Sequence, residues 1–139
     1  MSFHTVIIVG NLGRDPEMRY TPNGQAVTTL TVASNRNYTD ANGQKIKETT
    51  WFRVSVWGKQ AENCNTYLKK GSMVLIEGQL KPDRETGRPR IWTRADGSTG
   101  ASYDIFARTV RFLSTRGTSQ ESYVAETEKQ EISEDEIPF

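Results

Sequence analysis

The sequence predicts an all-β domain, a small five-stranded barrel with one short helix, on three observations. From Trp51 to Trp57 the residues alternate strictly, with Phe52, Val54 and Val56 on one face and Trp51, Arg53, Ser55 and Trp57 on the other. Asn23-Gly24 and Asn42-Gly43 are hairpin signals between strand-like runs. One helical stretch, Lys59 to Lys70, lies between two strands, with Ala61, Cys64 and Leu68 making a narrow apolar stripe.

Taken in order, the first strand runs from about His4 to Leu12 through the run Val6, Ile7, Ile8, Val9. Gly10 and Gly13 interrupt it as bulges or corner bends do. Asp15-Pro16 turns the chain, and the short segment Glu17 to Tyr20 precedes the first Asn-Gly. The second strand covers about Ala26 to Arg36, with Leu30 and Val32 sharing a face. Tyr38 to Lys47 reads as a hairpin tip lifted from the core, carrying Tyr38 near Lys45 and Lys47. The third strand is the one around Trp51. Helix 59–70 follows, with Lys69 and Lys70 in its last turn and Gly71 as C′ residue. Met73 to Leu80 is the fourth strand. The polar stretch Pro82 to Gly100 is too long for a plain connection in a compact domain and reads as either a functional loop or a disordered one. The fifth strand covers about Tyr103 to Leu113, with Phe106, Val110 and Phe112 on one face. Beyond Arg116 few core-forming residues remain, a composition that does not offset the entropy of ordering. The organisation expected is a barrel at 1–114, a disordered linker at 115–133 and an acidic tip at 134–139.

A chain of 139 residues holds one such core. The net charge of +1 hides an asymmetry: residues 1–116 carry 17 basic and 10 acidic side chains, a balance of +7, whereas residues 117–139 carry one and seven, a balance of −6. A basic body with an acidic arm points to a polyanion partner. No apolar run reaches the length of a membrane span and no signal peptide opens the chain, so a cytoplasmic protein without a membrane partner is expected. The single cysteine excludes an internal disulfide, and its place on the helix stripe marks a buried structural thiol. With one His and one Cys, neither a His/Cys zinc site nor a Cys–His pair is expected, and no cofactor or metal. The carboxylates are scattered over turns and strands without the clustering a nuclease needs, so no enzymatic activity is expected.

Five strands with a helix between the third and fourth match the Greek-key OB-fold, which binds oligonucleotides or oligosaccharides on its strand 2–3 face and loops. Trp51, Arg53 and Trp57 form an aromatic–cation–aromatic row suited to stacking against bases. Burial in a subunit interface explains the two tryptophans equally well on the strand alone. Trp92, the one large aromatic of the long loop, either joins that platform or folds back onto the barrel wall.

VGNLGRDPEMRYTPNGQAV, WFRVSVWGKQAE and YLKKGSMVLIEGQL, with the terminal EDEIPF, closely resemble the bacterial single-stranded DNA-binding protein family. The resemblance covers the barrel almost end to end and the last six residues. It implies an OB-fold homotetramer that wraps single-stranded DNA in the bacterial nucleoid and recruits genome-maintenance proteins of replication, recombination and repair through its tip. Stacking aromatics of the family map onto Tyr38, Trp51, Trp57 and Trp92. The departures are Tyr38 where Trp is common, Trp57 where Phe is common, Phe52 where some members carry a His near the subunit interface, a longer loop from Pro82 to Arg90, and a short tail. With Phe52 in that place, tetramerisation rests on apolar packing by Phe52 and other outward apolar strand residues.

Stacking needs only a π-face, which every base has, and duplex DNA hides it. Candidate phosphate partners are Arg19, Lys45, Lys47, Arg53, Lys59, Lys69, Lys70, Arg84, Arg88, Arg90 and Arg94. In the tip, Glu134, Asp135 and Glu136 face a basic rim on a partner, Ile137 and Phe139 supply apolar anchors, and Pro138 limits the freedom lost on docking. The rival readings are an RNA-binding OB module, which does not require the acidic Ile-Pro-Phe terminus, and a pure interaction scaffold.

Overall fold

The computed structural model describes residues 1–114; the linker at 115–133 and the tip at 134–139 lie outside the described residues. Strands β1 (Val6–Leu12), β2 (Glu17–Tyr20), β3 (Ala26–Thr39) and β4 (Lys45–Trp57) precede helix α1 (Lys59–Tyr67). Strands β5 (Met73–Leu80), β6 (Ile91–Thr93), β7 (Thr99–Ala101) and β8 (Tyr103–Ser114) follow it.

The main sheet runs β1-β5-β8-β4-β3-β2, and β3 pairs back onto β1 at Asn11–Ala33 and Leu12–Val32, which closes a barrel of five strands. The β4–β8 pair is parallel; the others are antiparallel. This is the predicted OB architecture, with the helix between the third and fourth barrel strands. β1 keeps an unbroken register with β5 through Gly10, so that glycine is a barrel corner and no bulge: a Cβ there would run into the Ala33 carbonyl. β2, the short segment ahead of Asn23-Gly24, adds an edge strand paired to the start of β3, beyond the five strands expected.

Alternation decides the core. Leu30 and Val32 of β3, Val54 and Val56 of β4, Val74 and Ile76 of β5, and Ile105 of β8 all point inward and are fully buried. α1 plugs one end of the barrel with Ala61 and Cys64, and Thr28 donates its hydroxyl to the Ala61 carbonyl at 2.8 Å. Burial pushes the Cys64 thiol up to about 12, so it stays protonated as a structural group. Gln60 fastens the helix to β8, donating to the Arg108 carbonyl at 3.0 Å and accepting from the Val110 amide at 2.8 Å.

Three expectations need correction. The helix stops at Tyr67, because Leu68 turns extended and is buried at the barrel end. The Lys69 and Lys70 amides are then taken by Ser72 Oγ (3.0 Å) and Asp15 Oδ1 (2.8 Å), so neither lysine lies in a last helical turn. β3 and β4 continue through Thr39 and from Lys45, so the tip of their hairpin is only the turn Asp40–Gln44. On β8, Phe106 faces outward while Ala107 and Val110 pack on the core: the register shift against Glu77 and Gly78 inserts an extra residue and breaks the alternation.

Candidate nucleic-acid interface

The outward face of β4 carries Trp51, Arg53, Ser55 and Trp57, as the alternation predicts. Ala33 and Thr31 of β3 lie across from Trp51 and Arg53, short side chains that leave this ring and the guanidinium standing above the sheet, whereas Trp57 lies across from buried Val27. Trp51 is 50% exposed. Its indole lies over Gly13, where a Cβ would come within 2.5 Å of the ring, so glycine forms the floor on which the ring rests. Arg53 is exposed, and Arg19 of β2 reaches the same surface, 3.4 Å from Thr29 Oγ1.

Trp57 is half-buried, and its Nε1 is buried with no hydrogen-bond partner among the described residues. Its ring leans on Phe106 of β8 (centroids 6.3 Å, tilted 53°), and Lys81 Nζ stands 5.0 Å above the Phe106 ring. Sequence reasoning missed Phe106 and Lys81. The parallel pairing Ser55–Phe106, between strands about fifty positions apart, brings Phe106 beside Trp57, and the β5–β8 pairing that ends at Leu80–Ile105 brings Lys81 to Phe106.

Tyr38 does not share the Trp51 face. The unbroken β3–β4 register puts Tyr38 and Ile46 on the opposite face of the ribbon, whereas Lys45 and Lys47 continue the Trp51 side. Tyr38 is held in its own cluster: the Arg36 guanidinium lies 4.3 Å over its ring, Arg36 pairs with Glu48 at 3.1 Å, and the Tyr38 hydroxyl is 3.4 Å from the same carboxylate. Arg36 is a third residue that sequence reasoning missed; its alternation with Tyr38 was the available signal.

Trp92 is not folded onto the barrel wall. It stands in a separate two-stranded arm made by β6 and β7, with Arg90 and Arg94 5.8 and 6.0 Å from its ring. Arg90 also pairs with Asp104 of β8 at 3.6 Å, and Asp104 accepts from the Ser102 hydroxyl. At the arm's turn, the Ser98 hydroxyl and amide hold the Asp96 carboxyl below its ordinary value. Ahead of the arm, Arg84 and Arg88 are exposed on a turn organised by the Asp83 carboxylate. A cleft of about 570 Å³ opens beside Trp51, lined by Thr49, Thr50 and Trp51 together with Pro89, Ala101, Ser102 and Tyr103. Lys59 sits at the start of α1, 3.8 Å from Glu62, and Lys69 and Lys70 are exposed on the turn after it.

Phe52 is not an outward residue. It packs against the core and its ring meets Tyr103 at 5.9 Å; the exposed apolar side chains on the strands include Ile7 and Val9 of β1.

A closed five-strand OB barrel with aromatic rings and cations displayed on its wall and on an arm defines a module for chain-like ligands with stackable units. The chain belongs to the single-strand binding protein family, whose profile matches residues 3–113. Its relatives include proteins named single-stranded DNA-binding protein from Neisseria meningitidis serogroups A and B. These are 40% identical over 116 residues, 84% of this chain and 63% of theirs. A Wolinella succinogenes protein of the same name is 36% identical over 124 residues, 89% of this chain and 72% of its own. The chain thus spans just under two thirds of the length of the Neisseria relatives it matches.

Among solved structures, a deletion mutant of the single-stranded DNA binding protein from Thermus aquaticus superposes with a TM-score of 0.61 at 31% identity. The match covers 81% of this chain and 51% of that one. The Plasmodium falciparum SSB in complex with ssDNA superposes with a TM-score of 0.65 at 22% identity, over 81% of this chain and 96% of that one, a likeness of fold.

Proposed function

We propose that the chain binds single-stranded DNA without regard to sequence, by stacking bases on its exposed rings and neutralising phosphates with the surrounding cations. The observation that carries this reading is the outward row Trp51–Arg53–Trp57 on the barrel wall, apolar rings and a charge held where a soluble β-strand is ordinarily polar. Two family relatives named for single-stranded DNA support it. The test is a tryptophan-fluorescence titration with poly(dT) at several salt concentrations. The expected result is quenching on binding and a log–log salt slope of about −0.7 per phosphate neutralised. Competition by poly(U) separates this from an RNA-binding module, and a salt-independent affinity overturns it. The role is that of a binding protein and no catalyst; a magnesium-dependent nuclease assay that released nucleotides would contradict it.

In the same reading the working unit is a homotetramer around which the strand wraps. Ile7 and Val9 of β1, 62% and 47% exposed, supply the apolar contact that Phe52 does not, and a monomeric mass at micromolar concentration rules this out. Residues 1–114 are the binding domain, and 115–133 link it to the tip. Glu134, Asp135, Glu136, Ile137, Pro138 and Phe139 capture replication, recombination and repair proteins in a bacterial cytoplasm, at the nucleoid. Deleting 134–139 is expected to abolish that capture while leaving DNA affinity equal or slightly tighter; crippled DNA binding would refute the docking role.

A further inference from the structure

The geometry points to Gly100, acting with Arg94, as the positioning residue that holds the Trp92 indole ready for a base; the inference rests on the single-strand binding proposed above. Strands of three residues have little stability of their own, so what fixes Trp92 must be local to the arm. Trp92 stands directly across from Gly100 in the β6–β7 register. A Cβ built at Gly100 would come within 2.9 Å of Cε2 and Cζ2 of the indole and 2.7 Å of Arg94 Nη2. Gly100 is not among the glycines with positive φ, so its backbone would accept other residues. The ring is what requires glycine there.

Arg94 completes the seat. Its Nη1 donates to the Thr99 carbonyl at 2.7 Å and lies 3.3 Å from Ser98 Oγ, and Ser98 is itself held by Asp96. The guanidinium is thereby fixed beside the ring, and its work is to place the indole more than to meet a phosphate. The indole rests against the Gly100 backbone, and a base is proposed to stack on its opposite side. A ring seated before the ligand arrives does not lose its rotamer freedom on binding, and that is the gain in affinity.

The test uses the full chain. In a Trp51→Phe/Trp57→Phe background, Trp92 is the only tryptophan left of three. Gly100→Val is expected to red-shift its emission and raise its quenching by acrylamide, with the thermal transition unchanged because the barrel does not involve the arm. In the otherwise native chain, Gly100→Val and Trp92→Ala are each expected to weaken oligo(dT) binding about fivefold or more, the range of one lost stacking contact. The double variant is expected to match Trp92→Ala alone, and the milder Gly100→Ala to fall between native and Gly100→Val. Unchanged emission and quenching in Gly100→Val overturn the positioning itself. An additive loss in the double variant assigns Gly100 a role apart from Trp92 and overturns it as well. Failure of the native chain to bind oligo(dT) instead overturns the binding reading, and with it the purpose given to the arm, while the quenching result still decides the seat.

Discussion

The barrel wall and the β6–β7 arm present the same chemistry, a tryptophan with arginine beside it, and hold it by different means. On the wall, Trp51 and Trp57 are fixed by a strand of thirteen residues locked between β3 and β8, whose opposite face is the hydrophobic core. On the arm, Trp92 is fixed by one glycine, one hydrogen-bonded arginine and one ion pair back to β8. The wall therefore inherits its geometry from the cooperative fold, whereas the arm depends on a few contacts that can be changed without unfolding anything. In the proposed reading, stacking draws on rings held by the fold as a whole and on one ring held by a few local contacts.

The largest effect that separates them is on stability. Leu30 is fully buried under the β3–β4 wall, and Leu30→Ala is expected to cost about 2–5 kcal/mol of unfolding free energy. Trp92→Ala should leave the denaturation midpoint within experimental scatter. Comparable losses in chemical denaturation would erase the distinction between wall and arm.

Affinity comes next. Trp51→Ala is expected to weaken poly(dT) binding by about 1–3 kcal/mol, with the fold intact because the ring's outer side is free. Native affinity in Trp51→Ala, Trp57→Ala and Trp92→Ala alike, with folding retained, would remove the stacking surface altogether.

A smaller change sharpens the comparison at the joint between the two regions. Asp104→Asn removes the charge that Arg90 pairs with, and the freed arm must be ordered by the ligand, at about 0.5–1.5 kcal/mol. The loss should appear in binding while leaving Trp51 fluorescence unaltered; a loss equal to that of Trp51→Ala would mean the tether reaches the wall.

The smallest effect belongs to the far face of the ribbon. Glu48 holds Arg36, so Glu48→Gln should release a cation and tighten binding at low salt by about 0.2–1 kcal/mol. A salt slope steeper by about 0.7 is the accompanying sign that Arg36 reaches a phosphate. Weaker binding instead would mean that the Arg36–Glu48–Tyr38 cluster is itself needed to orient the ring.

The sequence by itself determined the five barrel strands, the position of the helix and the display of Trp51, Arg53 and Trp57 on one face. These rest on periods of two and 3.6 and on Asn-Gly turns, all set by bonded geometry within a few residues. Tertiary structure alone decided the rest. Leu68 leaves the helix because the barrel end needs an apolar plug, against a local pattern that would have continued to Lys70. Phe106 faces out beside Trp57 because an extra residue against Glu77 and Gly78 shifts the alternation of β8, a mismatch between two strands that neither strand encodes alone. Tyr38 and Trp51 separate because the ribbon they share has two faces once β3 and β4 are paired through to the turn. Gly100 looks like one loop glycine among several until β6 and β7 pair and bring the indole across it. Each of these turns on which residue lies opposite which, and pairing between distant segments is settled by closure of the barrel and burial of its core, over distances that local periodicity does not reach.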